Sequence, residues 1–251
     1  MKFRFIDILL FALVFIFVNA FPVDLLPVNA IGQIAIRISL RFVLLIYYCY
    51  TLWRNRINIF KFANYKRVLL FAPFILVCFS NIVAAAIAGL SFQVGAIDPL
   101  YVSLIVVYHL FGVIVEELLF RLFIQSSLVY ASSLKRILAS AGIFALFHLV
   151  NMVNVSSLDA LANVAIQVVY SFGLGLLLAL IVEYTYSIPT CIDFHLLFNY
   201  FNMILVENIF CLSIPVLTYY LTAVGAALIV GIYAILIYIF VLNRNDRYFR
   251  E

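Results

Sequence analysis

The sequence predicts an all-α, polytopic membrane helical bundle with about eight transmembrane helices and both termini cytoplasmic. Three observations carry this. First, 68% of the 251 residues are hydrophobic and only 10% are charged. Soluble domains run near 45–50% apolar and about 25% charged, and no soluble fold could hide this much apolar surface. Second, the apolar residues gather into eight spans, roughly 5–23, 31–53, 68–90, 99–130, 137–153, 161–183, 188–208 and 215–242. Third, the lysines and arginines outside those spans all fall on one side of the bundle.

The first span follows Met1-Lys2-Phe3-Arg4, a signal-peptide-like start. However, Asn19-Ala20-Phe21 is a weak cleavage match and seven more spans follow, so it is expected to remain as an uncleaved helix. Span four is too long for one straight crossing of about 20 residues, so it protrudes or breaks. Span five is short, and span seven is interrupted by polar residues. Polar groups at membrane depth belong where helices face each other or line a cavity, so function is sought in these three spans. No internal repeat or linker divides residues 1–251, which read as a single integral membrane domain with a motif-bearing core at about 99–208.

Lys2, Arg4, Arg54, Arg56, Lys61, Lys66, Arg67, Lys135, Arg136, Arg244, Arg247 and Arg250 lie in alternate loops and at the two ends. The loops around 24–30, 91–98, 154–160 and 209–214 carry no Lys or Arg. The positive-inside rule makes the basic side cytoplasmic. The net charge of +4 therefore marks topology, and no nucleic-acid partner is implied. The partners expected are the lipid bilayer and a peptide or membrane-associated protein. Cys49, Cys78, Cys191 and Cys211 show no metal or disulfide spacing and read as buried small hydrophobes. Arg37 and Arg41 share a helix face at i,i+4 spacing and read as structural, with no partner legible.

The chemistry gathers around Glu116-Glu117-Leu118-Leu119-Phe120-Arg121. Ionisable residues at membrane depth cost about 2.5–3.5 kcal/mol each even on the lenient insertion scale, so three in six positions need a purpose. Glu117 and Arg121 stand at i,i+4, acid before base, the favourable order for an intrahelical pair. Glu116 is turned about 100° from Glu117 and is left freer to react. The chain has three histidines, His109, His148 and His195. His148 closes Phe144-Ala145-Leu146-Phe147-His148, and His195 opens His195-Leu196-Leu197-Phe198-Asn199. At about 1.5 Å per residue, Glu116, His148 and His195 reach similar depths, set in the cytoplasmic half. A carboxylate and an imidazole can polarise a water, with Glu116 as general base. His195 and Asn199 share a face and can donate to the oxyanion of a tetrahedral intermediate. The plainer readings are a buried ion network, a core histidine and an interhelical polar clamp. His109 lies near the face of Glu116 and reads as a structural hydrogen-bonding group. Cys191 stands i,i+4 from His195, where a thiol–imidazole pair is conceivable. Asp193 points away from His195, and Glu183 and Glu207 sit near span ends in solvated or interfacial roles.

Glu-Glu-x-x-x-Arg, Phe-x-x-x-His and His-x-x-x-Asn, in that order on separate membrane helices, resemble the CPBP family. This is the family of CAAX proteases and bacteriocin-processing enzymes, also called Abi, which includes the type II CAAX prenyl endopeptidases. The resemblance covers about 115–200, and the eight-helix layout agrees with the family fold. It implies an intramembrane endopeptidase of the cell membrane. Glu116 and His148 would activate water, His195 and Asn199 would form the oxyanion hole, and Glu117, Arg121 and Phe144 would support the site. It also suggests a metal-independent, glutamate-dependent mechanism requiring no cofactor. In the alternative, zinc would be held by Glu116, His148 and His195, although the zincin His-Glu-x-x-His pattern is absent. A second class of function is bacteriocin self-immunity or regulation through a membrane partner. A transporter would also use buried Glu and His, but it predicts inverted repeats, and the sequence shows no such symmetry.

Overall fold

The structure is a computed structural model. It describes residues 5–59, 65–92, 94, 98–128, 130–155, 157–210, 212 and 214–242. Among the described residues every regular element is helical and there is no strand. Eight helical units follow one another: α1 (Phe5–Ala20), α2 (Ala30–Arg54), the broken α3 (Leu69–Ile87), α4 (Pro99–Glu117), α5 (Ser133–Phe147), α6 (Leu158–Thr185), α7 (Ile188–Asn199) and α8 (Val216–Ile237). All but α7 belong to stretches long and apolar enough to cross a bilayer, and the protein is multi-pass. In α7 and the turn after it the apolar run is interrupted by Asp193, His195, Asn199 and Asn202, so His195 and Asn199 of the third motif are among the residues that lower its hydropathy.

The helix starts follow local chemistry. The Asn29 side chain accepts from Gly32 N at the head of α2. Asp98 accepts from Leu100 N and Tyr101 N ahead of Pro99, which opens α4. Ser157 and Ser187 cap α6 and α7 in the same way. Each satisfies N–H groups that the first helical turn leaves without partners. In α3, Pro73 cannot donate to a helical ladder, and the span breaks into short turns on either side of it.

The long span four does not protrude as one straight rod. Beyond Glu117, α4 widens into a π-helix over Leu118–Gln125. The same switch follows α7, where Tyr200–Ile209 is π-helical. α5 tightens instead, into a 3-10 segment at His148–Asn154. Such departures mark functional or strained places in helices; these three begin at or beside motif residues, whereas a further π segment at Tyr238–Leu242, after α8, does not.

α6 is the central helix, packed between α5 and α8. Its approach to α8 depends on Gly173, where a Cβ would stand 2.9 Å from the Ala227 carbonyl oxygen, the small-residue contact that membrane helices use. Arg136 at the head of α5 pairs with Glu183 at the end of α6, so Glu183 has an ion-pair role. The apolar interior falls into two clusters. One is built from α1, α2, the end of α4 and Phe144. The other is built from α3, α6, α7 and α8. The motif residues lie along the seam between them.

Two expectations change here. Cys49 is exposed on the outer face of α2, whereas Cys78 and Cys191 are buried, because position 49 faces away from the α1 and α4 contacts. The arginines of α2 do have partners: Arg37 pairs with Asp24 at 2.7 Å, and Arg41 reaches α1 and α4. Lys2, Arg4, Lys61, Arg244, Arg247, Arg250 and Cys211 lie outside the described residues, as do the side chains of Lys66 and Glu207.

Candidate active site

The turn of α4 that carries Glu116 and Glu117 sends them in different directions. Glu117 points into the seam and is fully buried. Its Oε2 accepts from Arg121 Nε at 3.1 Å and from Cys191 Sγ at 2.9 Å. Its Oε1 lies 2.8 Å from His195 Nδ1. The Arg121 guanidinium paired with it favours the ionised, acceptor-only carboxylate. The proton shared with His195 therefore sits on Nδ1, and Glu117 fixes both the ring's orientation and its protonation at that nitrogen.

Arg121 is 1% exposed. Its Nη1 donates to Ser140 Oγ at 2.6 Å, and Ser140 Oγ donates to the Phe120 carbonyl at 3.1 Å. The guanidinium also stands 5.0 Å from the Phe144 ring centre, a cation–π contact. Phe144 meets the edges of both imidazoles, His148 at 4.9 Å and His195 at 5.9 Å between ring centres. It thus acts as a spacer against which the two rings are set.

Glu116 faces the other way, into a cavity of about 480 Å³. Its Oε2 stands 3.9 Å from His195 Nε2, so the His195 ring is flanked by the two adjacent glutamates. His148, His195 and Asn199 line the same cavity. His148 Nδ1 is 2.9 Å from the Phe144 carbonyl oxygen. A carbonyl only accepts, so Nδ1 carries the hydrogen and Nε2 keeps its lone pair. All four expected catalytic residues and Phe144 therefore reach one cavity wall, while Glu117 and Arg121 stand behind it. His109 also lines the cavity. Asp193 is exposed, away from it. The cavity draws wall residues from all eight helices and extends past Asn19 to Asp24 and Arg37, towards the end of the bundle opposite Arg54 and Arg136.

Among the described residues no three His, Cys, Asp or Glu side chains group closely enough to hold a metal ion. Glu116, His148 and His195 share the cavity but are not grouped closely enough to hold a metal in this arrangement.

Sequence reasoning missed four features. Ser140 is the acceptor for Arg121 Nη1, and nothing in a lone serine among alanines marks it. The partner of Cys191 is Glu117, on another helix. Asn202 fastens the π segment to α3, accepting from Ser80 Oγ and Asn81 N at 2.9 and 3.0 Å. The spacing His195, Asn199, Asn202 puts all three on one face and was the available signal. The fourth is the Arg41–Tyr108–Gly112 contact in the cavity wall.

Residues 98–201 match a family model described as type II CAAX prenyl endopeptidase Rce1-like. The match runs from the cap of α4 to just beyond Asn199 and contains all three motifs. Comparison with curated proteins and with solved structures gives no match.

Proposed function

We propose that this chain, whose residues 98–201 match a family model described as type II CAAX prenyl endopeptidase Rce1-like, is a glutamate-dependent intramembrane endopeptidase of the cell membrane. One observation carries the reading. His195 is held between two adjacent glutamates of one helix, with Nδ1 on Glu117 and Nε2 turned to Glu116 and the cavity.

Glu116 takes a proton from a water that also donates to the lone pair on His148 Nε2. The hydroxide attacks the scissile carbonyl. The oxyanion accepts from His195 Nε2 and the Asn199 amide. Donating from both nitrogens at once requires an imidazolium, whose charge the two flanking carboxylates offset while Arg121 balances the second of them. Glu116 then returns its proton to the leaving amine as the C–N bond breaks. A positioned acid–base group is worth about 10²–10⁴ in rate, and one oxyanion donor about 10²–10³. No step is routed through a metal.

Wall contributions from all eight helices support one membrane domain. The cavity runs away from the basic loops. With those loops and both termini cytoplasmic, the Asp24–Arg37 end of the cavity lies on the opposite side, which favours access there over the expected entry from the cytoplasmic half or laterally from the bilayer.

The test uses full-length protein in liposomes sorted by orientation, with quenched fluorescent CAAX-type peptides, prenylated and unprenylated. Wild type is expected to cleave when the 21–29 loop faces the peptide. Glu116→Gln should lose about a thousandfold or more in rate, and His148→Ala and His195→Ala should be comparably inactive, all as folded protein. Cleavage should survive exhaustive chelation. Wild type that cleaves no peptide, or Glu116→Gln that retains activity, overturns the reading.

A further inference from the structure

The chemistry above leaves one cavity charge unused. Arg41 lies in the middle of α2, and its guanidinium is laid against α4. Its Nη1 donates to the Tyr108 carbonyl at 2.9 Å, and its Nη2 donates to Tyr108 Oη at 2.9 Å and Asn19 Oδ1 at 3.1 Å. Its Cζ stands 3.7 Å above the centre of the Tyr108 ring. Every one of these partners is neutral. Among the described residues no carboxylate stands within ion-pair distance of Arg41. Arg37, one turn towards the mouth, differs in this respect, since Asp24 already neutralises it.

The placement of Arg41 is built. A Cβ at position 112 would stand 2.4 Å from its Nη1, so only glycine lets the guanidinium lie flat on α4. Gly112 is one helical turn before Glu116, and Arg41, Gly112 and Glu116 all line the cavity. A cation at membrane depth is costly and marks a ligand path when it lines a wet cavity. The guanidinium has five N–H donors in a fork that matches a carboxylate. The contacts above use three of them.

We propose that Arg41 is the carboxylate subsite of this cavity, gripping an anionic end or acidic side chain of the peptide whose scissile carbonyl lies at Glu116. This rests on the endopeptidase reading and adds a specificity to it. Gly112 and Glu116 are about 6 Å apart along the helix. An extended peptide advances about 3.3–3.6 Å per residue. The carboxylate therefore belongs about two residues from the scissile bond, either as the chain terminus or as an Asp or Glu side chain.

The experiment is thermal unfolding of the full chain in detergent micelles with three probes: acetyl-Leu-Leu-Leu as the free acid, the same peptide as its C-terminal amide, and acetyl-Leu-Glu-Leu amide. At least one acidic probe should raise the unfolding midpoint while the neutral amide does not. Which acidic probe acts identifies the source of the carboxylate. Arg41→Gln should remove the response, and Arg41→Lys, which keeps the charge but loses the fork, should weaken it. If Arg41→Gln does not fold, Gly112→Ala replaces it. That variant keeps the charge and displaces the guanidinium, and should weaken acid binding about tenfold or more. Equal stabilisation by the neutral amide, no response to any probe, or a response that survives these variants overturns the assignment. The readout needs no hydrolysis, so its failure leaves the endopeptidase reading standing, and failure of cleavage leaves the carboxylate site standing.

Discussion

Glu116 and Glu117 are neighbours in the chain and occupy opposite kinds of place. Glu117 is sealed in the seam between two apolar clusters, where an arginine, a thiol and an imidazole all meet it. Glu116 stands in the cavity wall, one-fifth of its side chain exposed, and its nearest ionisable contact is His195 at 3.9 Å. The 100° between successive helical residues is enough to separate a sealed carboxylate, the proposed brace, from one in the cavity wall, the proposed reagent. His195 joins them, with one nitrogen on each side. A buried carboxylate that is fully satisfied is rigid, and rigidity is what an oriented imidazole needs. The base proposed for Glu116 must be able to give and take protons, and a place in the cavity wall allows that.

The largest expected effect tests the dry side. Glu117→Gln removes the carboxylate paired with Arg121, leaving a buried cation without that charge partner. Breaking a buried pair from one side costs about 3–5 kcal/mol. The variant should unfold at markedly lower temperature in detergent and lose activity, because an amide has one acceptor oxygen and cannot accept from both Arg121 Nε and His195 Nδ1. Glu116→Gln should do the reverse, losing activity and keeping the wild-type unfolding midpoint. If the two variants behaved alike in both assays, the division between brace and reagent would fail.

This contrast explains what the sequence made legible. Glu116, Glu117 and Arg121 fall within six positions of one helix, so their relative directions follow from helical geometry alone. His195 and Asn199 are likewise fixed by i,i+4 spacing. Their convergence with His148 depends on how α5 and α7 pack on α4, and spacing permits that meeting without requiring it. The Glu117–His195 and Glu117–Cys191 contacts join residues 78 and 74 positions apart, and no local pattern encodes them. The change of winding at Leu118 and Tyr200 was hidden for another reason. An apolar run reads the same whether its turns are α or π, so span four showed only as too long. The two arginines of α2 were visible as costly charges, but their partners lie in a loop and on two other helices.

A smaller effect comes from one layer further out. Ser140→Ala deletes the acceptor for Arg121 Nη1 while leaving the Glu117 pair intact. Losing a partner from a buried charged donor costs about 1–3 kcal/mol, less than loss of the pair itself. The unfolding midpoint should fall by less than in Glu117→Gln, and cleavage should persist at a reduced rate, since Glu117 still holds Nδ1. A Ser140→Ala protein as unstable as Glu117→Gln would place the brace in the whole Arg121 network, with the carboxylate only one member of it.

The smallest expected effect asks whether the dry side takes any part in chemistry. Cys191 is buried, and its thiol donates to Glu117 Oε2 at 2.9 Å and towards the Leu178 carbonyl at 3.5 Å. It sits i,i+4 from His195, the spacing that first suggested a thiol–imidazole pair, yet both nitrogens of that ring turn elsewhere. Cys191→Ala removes one of three donors from a carboxylate that keeps the other two, and leaves a gap of one sulfur atom. The cost should be about 1 kcal/mol, with the cleavage rate within a few-fold of wild type and thiol-blocking reagents without effect. If Cys191→Ala were folded and inactive, the sulfur would be a reactant, and the seam behind His195 could no longer be described as a brace.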